Sequence, residues 1–474
     1  MGAALLALLL AGSASAASPG ARGAPHVPAA SSPAAAGAPD GCGPIPPEDA
    51  ADPTAARDDT GALAAAPREP GVQPSSTGER SGGPGAIVPL PATRPVAEPA
   101  AEPPSEVLLV LPKGPDGKVP TDFELAPGAS VASSYFSPIL CATVVHVSGP
   151  PGLDPAALVT DAPGEAVTVP NDVYTGAQAE LRPLAPAAGD DPYRPLQWGL
   201  DRSGAERAWP TSDGRGARVA LLDSAPDVGH RDLAGVRLAP LSDAPGAPAP
   251  AGPGTHGTLM AGVVRAVASN GFGIAGIAPG AELVGIPVCR PRGASAADEC
   301  RLFELLRGVD VAWGQGAQLL NLSLVGPPNR LLRKAMDRMD ELGVVVVAAA
   351  GNEGVAEPRY PAAYPSVIGV GAVDRNGAPY ARGNRGASVE ILAPGVEVLS
   401  TVPGEGFAFG DGTSLAAAHA SGVLALAIAA SGDARAARAA FFEAAQARSE
   451  APGAEPALLP AACDVLAALG KPCR

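Results

Sequence analysis

The feature of this chain that most constrains its fold is a regular alternation of short apolar runs and longer segments of helical spacing after residue 217. The apolar runs predict strands at 218–222, 282–288, 318–324 and 344–347. The longer segments predict helices at 256–268, 298–314 and 331–342. Apolar runs separated by helices of this length predict a parallel sheet covered by helices on both faces. In such sheets functional residues gather at the carboxyl ends of the strands.

Composition and charge narrow the set of partners. The 474-residue chain carries a net charge of −15, whereas a nucleic-acid-binding surface needs a basic stripe. The same charge argues against an anionic membrane surface. No run beyond the amino terminus reaches the roughly 18 apolar residues of a membrane span, and we interpret 423–430 as part of a buried helix. We therefore expect neither nucleic-acid binding nor stable membrane insertion.

The amino-terminal residues predict an export signal. An apolar core at 5–12 is followed by small residues at 13–17, which is the pattern of a cleaved signal peptide over 1–16. No Lys or Arg precedes the core, so an Ala-rich start or a mis-assigned initiation codon is the alternative. The signal predicts a secreted or periplasmic protein, and the alanine-rich composition is typical of a bacterial exported protein.

Two further regions precede the alternating pattern. Residues 17–104 are dominated by Pro, Ala, Gly and Ser, and such a segment predicts a disordered linker. Strand-like runs then occur at 107–111, 143–147 and 166–169, with a short helix predicted at 153–159. They predict a small α+β unit over 105–185, ahead of a larger domain over 190–474.

The six cysteines fit an oxidising compartment but leave the connectivity open. Local spacing favours Cys289 with Cys300 and Cys463 with Cys473. Cys42 and Cys141 would then be a remote pair or free thiols. None of the six has the short paired spacing of a zinc site.

Four polar residues stand at predicted strand ends or helix starts, and each has an ordinary structural alternative. Asp223 ends the strand ARVALLD and could orient an imidazole or cap a turn. His256 lies among small residues in GTHGT and is either a base or a surface histidine. Asn352 follows a buried strand and is either an oxyanion donor or a turn residue. Ser414 opens an Ala-rich helix in DGTSLAAAH, as a nucleophile or a helix cap.

From about Gln197 to the carboxyl terminus, these residues lie in blocks that resemble the subtilisin family of secreted serine proteases. The blocks are ARVALLDSAPDVGHRDL, GTHGTLMAGVV and DGTSLAAAHASGVLAL, supported by NGFGIAGIAPGAELVGIPV, LLNLSL and AAAGNEG. The resemblance implies a three-layer α/β fold with a central, mostly parallel sheet. It implies a serine endopeptidase that acts through an acyl-enzyme intermediate on protein or peptide substrates.

The resemblance also implies a role for each site residue. Asp223, His256 and Ser414 would form the catalytic triad, and Asn352 with the Ser414 amide would form the oxyanion hole. The loop before the 298–314 helix would pair with extended substrate, braced by a bridge between Cys289 and Cys300. The walls of the specificity pocket would be Ser323, Leu324, Val325, Ala349, Ala350 and Gly351.

The 105–185 unit resembles, more weakly, the inhibitory propeptide that precedes many subtilisins. Autocleavage would then fall between Asp172 and Gln197, and the chain's own propeptide would be an intramolecular inhibitor. A permanent accessory domain is the alternative. For cofactors, the resemblance implies none that catalysis requires. Asp232, in a block shared with His230, is a candidate ligand for structural calcium, although 268–271 lacks the other expected ligands.

Three positions depart from the family pattern. Ala225 stands where glycine is usual, and a positive φ there would strain alanine and misdirect Asp223. Ala418 replaces a helix proline, which a helix tolerates. Val325 replaces a glycine and predicts a narrower pocket. An inactive subtilisin-like binding module is the alternative function, although its usual mark is a lost triad residue.

Overall fold

The computed structural model describes residues 103–113, 123–176, 181–184, 191–241, 252–290, 297–447 and 456–473. The signal peptide predicted at 1–16 lies outside these residues. The linker predicted at 17–104 also lies outside them, apart from its last two residues. Both therefore stay predictions.

The strands are numbered in chain order, and short ones alternate with long ones. They are β1 Ser105–Pro112, β2 Glu124–Leu125, β3 Ser130–Ser137, β4 Ala142–Gly149, β5 Val159–Asp161, β6 Val167–Pro170, β7 Val173–Gly176, β8 Arg182–Pro183, β9 Arg218–Asp223, β10 Arg237–Leu238, β11 Glu282–Pro287, β12 Cys289–Arg290, β13 Glu299–Arg301, β14 Leu319–Leu322, β15 Leu324–Val325, β16 Val345–Ala349, β17 Val367–Val373, β18 Ile391–Pro394, β19 Val398–Val402, β20 Gly406–Gly410 and β21 Ala457–Leu458.

The α-helices follow the same numbering. They are α1 Trp198–Ser203, α2 Ala205–Ala208, α3 Thr255–Arg265, α4 Leu302–Gly314, α5 Arg330–Glu341, α6 Thr413–Ser431, α7 Ala434–Ala447 and α8 Ala462–Ala468. Short 3-10 turns lie at Pro155–Leu158, Arg194–Leu196, Arg231–Leu233 and Gly386–Ser388.

A large parallel sheet forms the centre of the chain after residue 217. Within the described residues it has the order β10-β11-β9-β14-β16-β17-β18-β21, and every neighbouring pair in it is parallel. The strands predicted at 218–222, 282–288, 318–324 and 344–347 correspond to β9, β11, β14 with β15, and β16. The prediction of a parallel sheet is therefore confirmed.

Successive residues of each central strand enter two different cores. Val219 and Leu221 of β9 pack with α3, α6, α7 and α8, whereas Ala220 and Leu222 pack with α4 and α5. This alternation is the period-two geometry of a strand buried on both faces. The result is the predicted three-layer α/β arrangement, with helices on each side of the sheet.

Helix α6 runs through the centre of one helical layer. It is long and apolar enough to cross a membrane by length and composition, but 89% of its apolar window is buried inside the protein. Its small side chains allow close packing against α3 and the sheet. The prediction that 423–430 belongs to a buried helix is confirmed.

The region before residue 177 forms its own sheet, with the order β3-β4-β1-β6. One face of β1 packs through Val107, Leu109 and Leu111 into a small local core. The opposite face, through Leu108 and Val110, joins the core that contains α4 and α5. The described part of this unit holds strands and one 3-10 turn, so the predicted α+β character is not found there. The helix predicted at 153–159 is the turn Pro155–Leu158 followed by β5.

Two short strands leave this unit and join the larger domain. β7 lies between β13 and β15, antiparallel to both. β8, although it falls within the predicted 105–185 unit, pairs with β20 instead. The chain on either side of residues 177–180 is therefore bound to the larger domain.

Disulfides connect Cys289 with Cys300 and Cys463 with Cys473, as the local spacing predicts. Cys141 is disulfide-bonded as well, and no cysteine among the described residues is free. The first bridge joins β12 to β13, directly beside β7.

Candidate active site

Asp223, which is buried, and His256, which is mostly buried, form a pair at the carboxyl edge of the sheet. Asp223 is the last residue of β9 and is 2% exposed. His256 is the second residue of α3, and its Nδ1 lies 2.8 and 2.9 Å from the two carboxylate oxygens of Asp223. Gly257 permits this approach, because any side chain there would overlap the Ser224 carbonyl. A carboxylate on Nδ1 leaves Nε2 as the nitrogen available for chemistry.

The environment of His256 suits a base. Burial lowers the pKa of His256, but the charge and hydrogen bond of Asp223 outweigh it and raise the pKa above its ordinary value of 6.5. Nε2 is buried and has no hydrogen-bond partner among the described residues. A buried nitrogen without a partner is costly in a folded protein. Such a group is expected where a substrate or a reaction supplies the partner.

Ser414 is the second residue of α6, whose N-cap Gly412 has a φ of 151°. The side chain is 3% exposed, and its Oγ donates to the Ser323 carbonyl at 3.3 Å. Ser323 precedes Leu324, which is paired with Gly176, and a Cβ on Gly176 would lie 3.6 Å from His256 Nδ1. The hydroxyl is therefore turned toward Ser323, one residue before the strand pair of Leu324 and Gly176, and Gly176 is also the neighbour of the imidazole.

Asn352 lies beside the start of α6. Its Oδ1 accepts from the Thr413 amide at 2.9 Å and from the Thr413 hydroxyl at 3.1 Å. Its Nδ2 is buried without a partner in the described structure. The amides of a first helical turn also lack partners within their helix. Asn352 Nδ2 and the amino end of α6 are thus donors suited to an oxygen that acquires negative charge.

The predicted pocket residues lie on two neighbouring segments. Leu324 and Val325 form β15, which pairs with β7. Ala349 is the last residue of β16. The next residue, Ala350, still pairs with β17, because its amide donates a hydrogen bond to the Val370 carbonyl. Gly351 has a φ of 105°, and its amide donates to the Thr413 hydroxyl. The structure therefore brings these residues to the same edge of the sheet as Ser414.

Strand β7 occupies the groove between β13 and β15. Thr175 is paired with Glu299 on one side and with Val325 on the other. The Gly176 amide donates to the Asp298 carbonyl at 3.1 Å. This is the pairing of an extended peptide added between two strand edges, and it ends beside His256.

Tyr174 fixes β7 in that groove. Its ring is fully buried against Gly326, where any side chain would collide with it. Its hydroxyl donates to the Pro327 carbonyl at 3.1 Å. A fully buried aromatic ring with a satisfied hydroxyl contributes much of the free energy of such a contact.

The unusual residues at the site fit the structure. Ala225 is not among the residues of positive φ, so the expected condition for strain is not met. Ala418 is buried inside α6, which runs unbroken from Thr413 to Ser431. Val325 is 5% exposed beside β7, and its effect on pocket width stays a prediction.

Sequence reasoning missed three residues that hold the site together. Ser224 donates to Asp223 from its amide at 2.7 Å and from its hydroxyl at 3.3 Å. Thr413 connects Asn352 with Gly351. Tyr174 is the third. The first two are neighbours of predicted site residues, but Tyr174 lies in a segment whose position depends on tertiary pairing.

The candidate calcium ligand is held by hydrogen bonds within the chain. Asp232 accepts from Asn270 Nδ2 at 2.9 Å and from the Ile274 amide at 2.8 Å. Burial raises the pKa of Asp232 to about 6. Within the described ranges, no group of three or more His, Cys, Asp or Glu side chains could hold a metal ion. His230 accepts from the Asp232 amide and orients the same loop.

A histidine–carboxylate pair near a serine at a helix start is the arrangement found in serine hydrolases. Comparison with known proteins refines this class. The family model described as "Subtilase family" matches residues 214–454. The chain belongs to the subtilase family, and it is a serine-type endopeptidase.

Individual relatives agree with the family match. Thermitase from Thermoactinomyces vulgaris is 35% identical over 239 residues, which are 50% of this chain and 84% of thermitase. Subtilisin BL from Lederbergia lenta is 37% identical over 237 residues, which are 49% of this chain and 83% of the relative. M-protease from Shouchella clausii is 37% identical over 237 residues, which are 49% of this chain and 59% of M-protease.

Proposed function

We propose that Asp223, His256 and Ser414 are the catalytic triad of this endopeptidase. Ser414 attacks the scissile carbonyl while His256 Nε2 takes the hydroxyl proton. Asp223 holds the imidazole and stabilises the imidazolium. The proton then passes to the leaving amine, and water releases the acyl-enzyme. The buried His256 Nε2 without a partner is the observation that carries this proposal.

Asn352 and the Ser414 amide are proposed as the oxyanion hole. Asn352 Oδ1 is held by Thr413, and Nδ2, which has no partner among the described residues, lies beside Gly412. A donor fixed in this way needs no reorganisation when the carbonyl oxygen becomes charged. The proposed walls of the pocket for the substrate residue before the scissile bond are Ser323, Leu324, Val325, Ala349, Ala350 and Gly351.

The predicted 105–185 unit is proposed to be an inhibitory propeptide up to the cleavage interval, and the residues from 181 onward, including the predicted 190–474 domain, are proposed to stay in the mature enzyme. Three features support this. β7 lies between β13 and β15 as an extended substrate would, and its last residue, Gly176, lies beside His256. After residues 177–180, β8 pairs with β20 of the larger domain. The cleavage interval narrows from 172–197 to the residues between Gly176 and Leu181. The propeptide would then remain bound through β7 after cleavage.

The propeptide also completes two helices of the catalytic domain. The Leu302 amide donates to the Asp172 carbonyl at 2.9 Å, and the Phe303 amide donates to Asn171 Oδ1 at 3.0 Å. Both amides belong to the first turn of α4, which otherwise lacks a side-chain cap. Asp172 Oδ2 accepts from Asn329, the N-cap of α5. These contacts suit an inhibitor that also organises the fold.

Secretion and structural calcium remain proposals with separate tests. Export follows from the signal predicted at 1–16, and the disulfides fit an oxidising compartment. Asp232, Asp191 and Asn270 lie in one network, whose oxygen atoms are of the type that calcium binds. Calcium there would brace the 268–274 loop. An increase in melting temperature with added calcium would support this site.

Labelling with a fluorophosphonate probe tests the function directly. The purified mature protein is expected to be labelled at Ser414, and the Ser414→Ala variant is not. A mature protein that folds but resists the probe would favour the inactive binding module. Intact-mass measurement before and after reduction then reports removal of 1–16, cleavage between Gly176 and Leu181, and the number of disulfides.

A further inference from the structure

The strand on the far side of the cleavage interval occupies a second binding edge. In β8, Arg182 is paired with Phe409 and Pro183 with Ala408, antiparallel to β20. The Leu184 amide then donates to the Phe407 carbonyl at 2.9 Å. As the residue number rises from 182 to 184, the chain moves along β20 away from Ser414. This is the direction of a peptide that leaves the active site on the carboxyl side of the scissile bond.

Side chains add to the backbone pairing of β8. Arg182 lies 3.6 Å from Glu397 and over the Phe409 ring, 5.8 Å from its centroid. Leu184 packs with the cluster of Tyr193, Phe407 and Phe409. The ion pair is exposed and weak alone, whereas the apolar contact shields part of the Leu184 side chain from water.

All of these contacts are made with residues downstream of the cleavage interval. Cleavage before Leu181 removes none of them. The segment 181–184 is also tethered: only six residues separate it from Asp191, and Tyr193 is buried with its amide bonded to the Gly273 carbonyl. A short tether gives a millimolar effective concentration, at which weak contacts compete with dilute substrate.

We propose that residues 181–184 stay on β20 after cleavage and compete with substrate residues on the carboxyl side of the scissile bond. This inference rests on the proposed function. The β20 edge is then the binding strand for that side of a long substrate, and the new amino-terminal segment is its competitor. Long polypeptides must displace the segment, whereas substrates that end at the scissile bond do not.

Two substrates distinguish peptides that must displace the segment from those that need not. A peptide p-nitroanilide has no residues beyond the scissile bond, and an internally quenched peptide carries seven. The release variant is Arg182→Glu with Leu184→Asp, and the matched control is Leu196→Asp, at an exposed leucine of the same stretch. We expect the ratio of kcat/KM for the long over the short substrate to rise about fivefold in the release variant, by loss of the tethered competitor, and to stay unchanged in the control.

The outcomes are distinct. If both substrates are hydrolysed and the ratio stays constant, the competitor proposal is wrong while the proposed function stands. Amino-terminal sequencing that places the mature start beyond Leu184 also overturns it. If the wild-type enzyme hydrolyses neither substrate, the proposed function itself fails. Arg182→Glu alone alters an exposed side chain, so a smaller rise in that variant keeps the test valid if the double variant does not fold.

Discussion

At the scale of single residues, the site is marked by two buried nitrogen atoms without partners in the described structure. They are His256 Nε2 and Asn352 Nδ2. Each belongs to a side chain whose other polar atom is firmly bonded, to Asp223 in one case and to Thr413 in the other. Leaving a buried donor or acceptor unpaired costs about 1–3 kcal/mol. That cost is accounted for if the missing partners are supplied by the reacting groups.

Replacing Asn352 by Ala tests this interpretation. The variant loses a donor that acts on the charged oxygen of the transition state, so kcat is expected to fall by about 10²–10³. KM should change little, because the ground-state carbonyl needs the donor less. The exposed Asn376 is the control, and Asn376→Ala should keep wild-type kinetics. If KM rose by a similar factor while kcat stayed unchanged, Asn352 would not be an oxyanion donor.

The pH profile of kcat/KM tests His256. The imidazole must be neutral to accept a proton, and its pKa lies above 6.5 in this structure. Activity should therefore be low in acid, rise through a midpoint above 6.5, and reach a plateau at neutral to alkaline pH. Asp223→Asn removes the charge that raises the pKa and should lower kcat by about 10⁴. Activity confined below pH 4 would contradict histidine as the base.

At the scale of elements, the sequence predicted the long buried strands better than the short ones. β9, β11, β14 and β16 are mostly apolar along their length, so their burial on both faces can be seen in the sequence. β3 has the sequence SVASSYFS and is exposed along most of its length, which hides its strand character. β7, with the sequence VYTG, is a strand only because β13 and β15 supply its partners.

The same reason explains what the sequence revealed of the site. Asp223, His256, Asn352 and Ser414 could be predicted because each lies at or close after the end of a strand or in the first turn of a helix. Their meeting at one edge follows from the parallel topology. The position of Tyr174 and the rotation of Ser414 toward Ser323 could not be predicted, since both depend on packing between segments far apart in sequence.

Peptides that reproduce β7 test its contribution to binding. The hexapeptide DVYTGA, residues 172–177, should inhibit the mature enzyme competitively. Tyr174→Phe removes one hydrogen bond, worth about 1 kcal/mol, and should raise the inhibition constant about fivefold. Tyr174→Ala removes the buried ring, worth about 3 kcal/mol or more, and should raise it at least about a hundredfold.

The control for this series is Thr175→Ala, because Thr175 is exposed. That peptide should inhibit almost as well as the parent. If the parent peptide and the Tyr174→Ala peptide inhibited equally, β7 would be held by its backbone alone.

The cap that Asn171 places on α4 can be tested by its effect on stability. Asn171→Ala removes the acceptor for the Phe303 amide and the donor to Glu106. In the full-length Ser414→Ala variant, which under the proposed function does not cleave itself, the free energy of unfolding should fall by about 0.5–2 kcal/mol. Denaturant unfolding measures the change. The exposed Thr175→Ala substitution in the same full-length variant should leave unfolding as in the parent, and an unchanged midpoint for Asn171→Ala would exclude a capping role.

At the scale of the whole molecule, two carboxylates at the contact between the amino-terminal sheet and the catalytic domain have opposite pKa shifts. Burial raises the pKa of Asp310 to about 7, against hydrogen bonds from Ile139 and Ser137 and the charge of Arg307. Burial also acts to raise the pKa of Glu106, but hydrogen bonds from His146 and Asn171 and the charge of Arg301 outweigh it and lower the pKa to about 2.

The signs fix a pH window. Glu106 adds stability above its ordinary pKa and loses it only as the pH falls toward 2. Asp310 adds stability at acidic pH and loses it as the pH rises through its folded pKa of about 7. Between pH 4.5 and 7.5 only the Asp310 contribution of this pair changes, so the contact should weaken as the pH rises.

Asp310→Asn isolates this effect. Asparagine can still accept from the Ser137 hydroxyl and the Ile139 amide, the two hydrogen bonds that Asp310 Oδ1 receives, but it carries no titratable proton. In the full-length Ser414→Ala variant, the loss of unfolding free energy between pH 4.5 and 7.5 should be smaller in Asp310→Asn than in the parent. If the free energy of unfolding depended on pH in the same way in the two proteins, Asp310 would not be the group that causes the loss of stability. A shallower curve for Asp310→Asn would mean that deprotonation of Asp310 destabilises the fold as the pH rises, as expected if it weakens the contact of the amino-terminal sheet with α4.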